Sequence, residues 1–349
     1  RIRDLEYLNY ENLFADESTP IDFTISPDLI ASSYIKKLIK YQGTRQVFNF
    51  SNDNDCFINI VFKEKNNEEN SIMYFQESCE KFNAKICAFI RKDKLYSIED
   101  GDIIENNDEL LLICKEENIE DIMKLFGRNK NNKGIMIAGG GNIGRHLSEN
   151  ISEDYQVKVI ESNEERAEFL SEIIDDVTII NADSSNEDIL LEENIEHMDV
   201  FCALTNDDEA NILSAMLAKK LGSKTVISII NKISYSDLVE NQEIDITVSP
   251  EDLTMGALLT HIRKGSIVKA HSLMRGNLEL LELEIRDKED SKIIGKNIEQ
   301  INISENVIIC CIIREENFIF DISNLLLEKN DRLVCLVNKK DVKQIEELF

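Results

Sequence analysis

At 349 residues the chain is long enough for two or three domains, each able to bury its own core. Asp and Glu number 67 against 39 Lys and Arg, and the resulting net charge of −28 repels nucleic-acid backbones and anionic lipid, excluding direct binding to either. Hydrophobic residues at 42% and charged residues at 30% fit a globular protein, and the longest apolar run, Val307 to Ile313, is far too short to span a bilayer.

The chain opens on Arg1-Ile2-Arg3-Asp4, which is neither a methionine start nor a signal peptide with an apolar core, and reads as the cut end of a longer protein. Ile21-Asp22-Phe23-Thr24-Ile25-Ser26-Pro27 recurs as Ile244-Asp245-Ile246-Thr247-Val248-Ser249-Pro250, an offset of 223 residues. Glu105 to Phe126 recurs as Glu328 to Phe349 at the same offset, sharing Asp108/Asp331, Leu125/Leu348 and Phe126/Phe349 among others. Two matches at one offset mark a tandem duplication. Residues 1–44 are then the remnant of a first nucleotide-type domain and 45–126 its small companion. A polar linker (127–133) follows, then a complete second nucleotide domain (134–267) and its companion (268–349). The offset predicts about 90 to 100 residues upstream, half a typical domain.

Gly134-Ile135-Met136-Ile137-Ala138 is a strand-like run leading into Gly139-Gly140-Gly141-Asn142-Ile143-Gly144 and a helix-compatible stretch to Ile151. In this G-x-G-x-x-G spacing Gly139 turns tightly, Gly141 lets backbone approach a pyrophosphate and Gly144 lets helix pack on strand; the helix N-terminus supplies N–H donors. Arg145 is the only nearby cation in the sequence. Gln156 to Ile160 predicts the second strand. It ends at Glu161, 22 residues after Gly139, where a carboxylate accepts both ribose hydroxyls and repels a 2′-phosphate. NAD or a plain adenosine nucleotide is therefore favoured over NADP.

Strands at Val177 to Ile180, Asp199 to Ala203 and Thr225 to Ile230, with helices at Asn186 to Glu193 and Asp207 to Leu221, continue the alternation and predict a doubly wound parallel sheet. Ligands in such sheets lie at the carboxyl ends of strands, where Asn181-Ala182-Asp183-Ser184 and Leu204-Thr205-Asn206-Asp207-Asp208-Glu209 also fall. The second segment equally reads as a helix cap, with Thr205 or Asn206 at the N-cap. A crossover helix is predicted from Pro250 to Arg263, its apolar face (Leu253, Ala257, Leu258, Ile262) serving as a contact between units. Leu278 to Ile285 and Arg332 to Val337 read as strands and Lys340 to Phe349 as a closing helix. Asp108 and Asp331 read as turn residues ahead of a regulatory cation site. Eight cysteines, mostly in apolar runs and never as C-x-x-C, point to a reducing cytosol.

Gly139 to Gly144, Glu161, Asn181-Ala182-Asp183, Thr205 to Asn211 and the crossover Asp245 to Pro250, in that order, resemble the N-terminal domain of the RCK (regulator of K⁺ conductance) family. The duplication, with a strand-rich domain after each copy, is similar to the cytosolic subunits of the bacterial Trk potassium uptake system. The resemblance implies an α/β fold, a Rossmann-like doubly wound parallel sheet (RCK N-terminal) plus a small α+β domain (RCK C-terminal), tandemly duplicated. It implies a nucleotide-binding regulatory subunit, not an enzyme, that binds NAD and gates a Trk-type potassium transporter membrane subunit. NADH, ATP and ADP stay open, because all share an adenosine ribose and phosphates. It further implies a homo-oligomer, dimer or tetramer, held peripherally on the inner face of the cell membrane through that partner. The implied nucleotide contacts are Gly139, Gly140, Gly141, Asn142, Ile143, Gly144, Glu161, Asp183, Thr205 and Asn206, with Arg1 touching the nucleotide of the first copy. Glu161 stands where Asp is common, and Ser228-Ile229-Ile230-Asn231 replaces the Arg pair of the first copy.

An NAD-dependent oxidoreductase is the alternative, since fold does not fix function. It requires a proton donor or acceptor beside the nicotinamide, and His146, His197, His261 and His271 form no recognisable acid/base set. A third reading, the detached module of a cation-sensing channel, finds no pore helix. No catalytic residue and no metal ligand is assigned.

Overall fold

The structure is a computed structural model. It describes residues 24–63, 71–99, 102–128, 133–232, 234–235, 244–262, 266–273, 276–286, 293–301, 303–304 and 306–349. Arg1 and the first three residues of the Ile21 to Pro27 repeat lie outside them.

Helix α1 (Pro27–Lys40) starts at a proline, which suits a first turn that needs no N–H partner, and buries Ala31, Ile35, Leu38 and Ile39. An antiparallel sheet follows, made of β1 (Thr44–Asn49), β2 (Asp55–Val61), β3 (Lys85–Arg91), β4 (Lys94–Ser97) and β5 (Glu109–Lys115). Helix α2 (Ile72–Glu80) lies between β2 and β3, and α3 (Ile119–Leu125) closes the segment. The strand order is β1-β2-β5-β3-β4.

Six strands then alternate with helices: β6 (Gly134–Ala138), α4 (Asn142–Ile151), β7 (Gln156–Glu161), α5 (Glu164–Ile173), β8 (Val177–Asn181), α6 (Glu187–Glu192), β9 (Val200–Ala203), α7 (Asp208–Lys220), β10 (Thr225–Ile229) and β11 (Ile246–Val248). All pairings are parallel and the order is β11-β10-β9-β6-β7-β8, the dinucleotide-fold order with its reversal between β6 and β9. Both strands at the reversal are buried along their whole length, which is why their sequences are continuous apolar runs without alternation. Helix α8 (Pro250–Ile262) leads to a second antiparallel sheet, β12 (Ile267–Leu273), β13 (Leu278–Glu284), β14 (Val307–Arg314), β15 (Asn317–Ile319) and β16 (Arg332–Asn338), closed by α9 (Val342–Leu348). Its order, β12-β13-β16-β14-β15, repeats the first small sheet strand for strand.

The duplication is thus structural as well as sequential. Helix α1 begins at Pro27 and α8 at Pro250, and β2, β5 and α3 match β13, β16 and α9 at the 223-residue offset. One element differs. Where the first copy has α2, the described residues of the second show a 3₁₀ turn, Ile298–Gln300, held by a reciprocal Asn297–Gln300 capping box. Gly295 at φ +78° precedes it.

The chain forms two compact units. One contains α1 and the parallel sheet up to Thr254; the other contains both antiparallel sheets, from Tyr41 and from Met255 onward. The expected apolar face of the crossover helix holds half-buried Leu253, Ala257 and Leu258, while the Ile262 side chain and Arg263 lie outside the described residues. All eight cysteines are buried and free, as core thiols should be.

Asp108 and Asp331 are nearly inaccessible, and each does more than turn the chain. Asp108 accepts Arg91 Nε at 2.9 Å and Nη2 at 2.6 Å, and Asp331 accepts Arg314 Nε at 2.7 Å and Nη2 at 2.8 Å. Each also accepts the backbone N–H three residues earlier, Glu105 or Glu328, at 2.7 and 2.8 Å. The cation at each turn is a guanidinium from the same sheet.

Candidate functional site: a glycine-lined cleft at the reversal of the parallel sheet

The glycine loop leaves β6 at Ala138 and enters α4 at Asn142, and its glycines are used differently. Gly139 takes φ +105°, and a Cβ there would lie 3.0 Å from the Thr205 backbone N and Cγ2. A Cβ on Gly144 would run into the Gly139 carbonyl, so its absence lets α4 close on the loop. A Cβ on Gly140 would strike the Leu170 side chain. Gly141 faces nothing within 4 Å: the space beside it, at the N-cap of α4, is open.

That space belongs to a cleft of about 310 Å³ lined by Gly139, Gly141, Glu161, Asp183, Thr205 and Asn206, together with Ser162, Ala182, Leu204, Asp207 and Ala210. Six of the sequence candidates thus come together. Four do not line it. Gly140 donates its N–H to Glu161 Oε2 at 2.7 Å; Asn142 donates its side-chain amide to Asp28 Oδ2 at 3.0 Å; Ile143 is half-buried on α4; Gly144 serves packing. Arg1 lies outside the described residues.

Glu161 is tied down at both oxygens, since Oε1 accepts the Asn163 N–H at 2.8 Å while Oε2 holds the loop. Each oxygen keeps a second lone pair, so ribose hydroxyls can still be accepted by a carboxylate that cannot swing. Asp183 accepts both Ser185 N and Oγ at 2.8 Å, the backbone bond first holding its carboxyl below the usual range. Glu209, at the head of α7, is pulled down to about 2 by the Tyr235 hydroxyl and by Lys232.

Arg145, the cation near the loop in the sequence, bonds Glu149 Oε1 through Nε at 2.9 Å one turn along α4. One expectation needs correction. The N-cap of α7 is Asp207, accepting from Ala210 N at 2.8 Å, and neither Thr205 nor Asn206 takes that role.

Two residues had no role assigned to them in the sequence. Arg166, on α5, donates Nε to the Gly140 carbonyl at 2.8 Å and so brings a cation to the glycine loop. Asn211 is fully buried on α7. Its Oδ1 accepts Thr205 N at 2.8 Å and Thr205 Oγ1 at 2.7 Å, and its Nδ2 donates to Thr205 O and Ile229 O at 3.0 Å. The Thr205 hydroxyl proton is therefore spent inside the protein, and toward a ligand this side chain presents an acceptor. A polar residue on the buried face of an amphipathic helix was the signal available for Asn211.

Chemically the cleft offers the N–H groups of the first turn of α4, which lack intrahelical partners, opposite a wall of carboxylates. That combination suits a pyrophosphate joined to a ribose. Among the described residues no group of His, Cys, Asp and Glu is arranged to hold a metal ion, and no helix is long and apolar enough to cross a membrane. His146 is partly buried, which lowers its pKa, and His197 is exposed. The Cys202 thiol is pushed up by complete burial.

The TrkA-N domain family matches residues 135–250, which take in the parallel sheet and the cleft, and the TrkA-C domain family matches residues 283–349. The chain is 37% identical over 354 residues to the Trk system potassium uptake protein TrkA of Vibrio alginolyticus, and 34% identical over 353 residues to that of Halomonas elongata. Each alignment covers 100% of this chain and 77% of the relative. The chain belongs to the TrkA family. Outside TrkA proteins, the RCK domain of GsuK is similar in fold, with a TM-score of 0.51 at 15% identity, over 93% of this chain and 70% of that one. A TrkA chain with this architecture carries the RCK-type Rossmann sheet and the small α+β domain expected from the sequence.

Proposed function

We propose that this chain is a nucleotide-binding regulatory subunit of a Trk-type potassium uptake system, taking NAD(H) or a related adenine nucleotide at the cleft and gating a membrane transporter subunit. The observation that carries the reading is the open space at Gly141, set between the N-terminus of α4 and Glu161 at the reversal of the sheet. The diphosphate lies along Gly139 to Ile143, Glu161 accepts the ribose hydroxyls, and Asp183, Thr205 and Asn206 line the remaining wall. Arg1 contributes to the site of the first copy. Membership of the TrkA family supports potassium uptake as the regulated process, with a homo-oligomer at the inner face of the membrane, attached through the partner. The charge of −28 suits attachment to Lys- and Arg-rich cytoplasmic loops while avoiding lipid.

Calorimetric titration of NAD⁺, NADH, ADP and ATP into the chain and into Gly141→Val tests the reading. The valine fits the backbone, whose φ is −62°, and projects into open space, so the fold is expected to survive while nucleotide affinity falls at least tenfold. Unchanged affinity would remove the pocket from consideration. Sustained NADH oxidation with a small carbonyl substrate would instead favour the oxidoreductase.

A further inference from the structure

We propose that Asp28 couples occupancy of the glycine-loop site to the docking of α1, so that bound nucleotide and docked helix oppose one another. The inference rests on nucleotide binding at that site.

By sequence α1 belongs to the first copy, as the counterpart of α8, yet it packs on α4, the helix whose N-terminus faces the second copy's cleft. The two helices lie side by side, and α1 buries Ala31, Ser32 and Ile35. Two polar ties flank it. At one end Asn142 Nδ2 donates to Asp28 Oδ2 at 3.0 Å; at the other Lys36 Nζ donates to the Asn150 carbonyl at 2.8 Å.

The first tie matters for chemistry because Asn142 is the first residue of α4. Asp28 therefore brings a carboxylate to the positive end of the dipole that a pyrophosphate would use. Two anions drawing on one helix end repel each other, and the ion already in place weakens the second. Linkage makes the effect reciprocal: whatever factor docked α1 takes from nucleotide affinity, nucleotide takes from the docking of α1. Since α1 runs directly into β1, a change in its docking reaches the small sheet of the first copy through the chain itself.

NADH is the probe, titrated calorimetrically into the wild-type chain, Asp28→Asn and Lys36→Gln. Asp28→Asn keeps an acceptor for Asn142 and removes the charge, so NADH is expected to bind about two- to fivefold tighter, the range for one charge at a helix terminus. The gain should shrink toward unity between about 0.05 and 0.5 M salt. Lys36→Gln, at the far end of α4, should leave affinity within about twofold of wild type on the same scale. Amide hydrogen exchange supplies a second readout: NADH should speed exchange across residues 27–40 in the wild type and not in Asp28→Asn. Equal NADH affinity in wild type and Asp28→Asn, or an equal gain in Lys36→Gln, would overturn the coupling while leaving the nucleotide site standing. A wild-type chain that binds no NADH would overturn both.

Discussion

Asp199 shows how one side chain ties together the two strands at the reversal, at the end away from the cleft. It lies at the foot of β9, 5% exposed, and joins the first strand to the fourth: Oδ2 accepts Lys133 N at 2.6 Å and Gly134 N at 3.1 Å, and Oδ1 accepts Lys224 Nζ at 2.6 Å. Burial would raise this carboxyl, but those donors outweigh burial and hold it below the usual range. A carboxyl depressed in the folded state stabilises fully above its unfolded value, about 3.9, and that contribution is lost as pH falls through the folded value. Asp199→Asn should cost about 1–3 kcal/mol in urea unfolding at neutral pH, and the gap to wild type should close as pH falls through the lowered folded value of Asp199. A gap independent of pH would mean that the amide fails by shape, not by charge.

At the scale of elements, the repeated turn before the last strand of each small sheet offers an internal control. Arg91–Asp108 and Arg314–Asp331 have the same two-pronged geometry, with the aspartates buried and the arginines about a quarter exposed. Asp108→Ala and Asp331→Ala should each cost about 2–3 kcal/mol, on the low side for a buried pair because the arginine left behind reaches water. Glu328 also contacts Arg314, at 2.6 Å, but is 62% exposed, and Glu328→Ala should cost less than about 1 kcal/mol. Denaturant unfolding of the three variants distinguishes these cases; equal losses would mean that burial of the carboxylate is not what matters. The copies diverge nearby. Glu282 of β13, fully buried, accepts Ser51 N at 2.7 Å and Arg332 Nη1 at 2.9 Å, whereas its counterpart Asn59 donates to Glu109 at 2.7 Å. Glu282 thereby ties the second small sheet to the loop after β1 in the first.

For the molecule as a whole, division into two compact units predicts that ligand stabilises unevenly. NADH at about one hundred times its dissociation constant adds about 2.7 kcal/mol to the unit that binds it. In scanning calorimetry the transition of the parallel-sheet unit should therefore rise by about 5–10 °C, while that of the paired small sheets stays in place. A single transition moving as one would show that the units unfold together.

The sequence by itself determined the duplication, β6 to β10 with α4, α6 and α7, and the glycine loop, because these rest on local chemistry. A buried parallel strand must be apolar throughout, a tight turn beside a phosphate site must lack side chains, and a repeat keeps its spacing. Asp183, Thr205 and Asn206 were also placed beside the glycine loop, since strand ends in a doubly wound sheet are where ligands lie. Only the tertiary structure decided the partners of long side chains. Arg145 turned to Glu149, Arg166 reached the loop from α5, Asn142 met Asp28 from the other copy, and Asp207 displaced Thr205 and Asn206 as the cap. Such choices depend on which groups lie within about 3 Å once helices have packed, and sequence separations of 26 or 114 residues give no hint of them. The grouping of the two small sheets into one unit was hidden for the same reason: the repeat fixes what each sheet is, and surface complementarity fixes what it packs against.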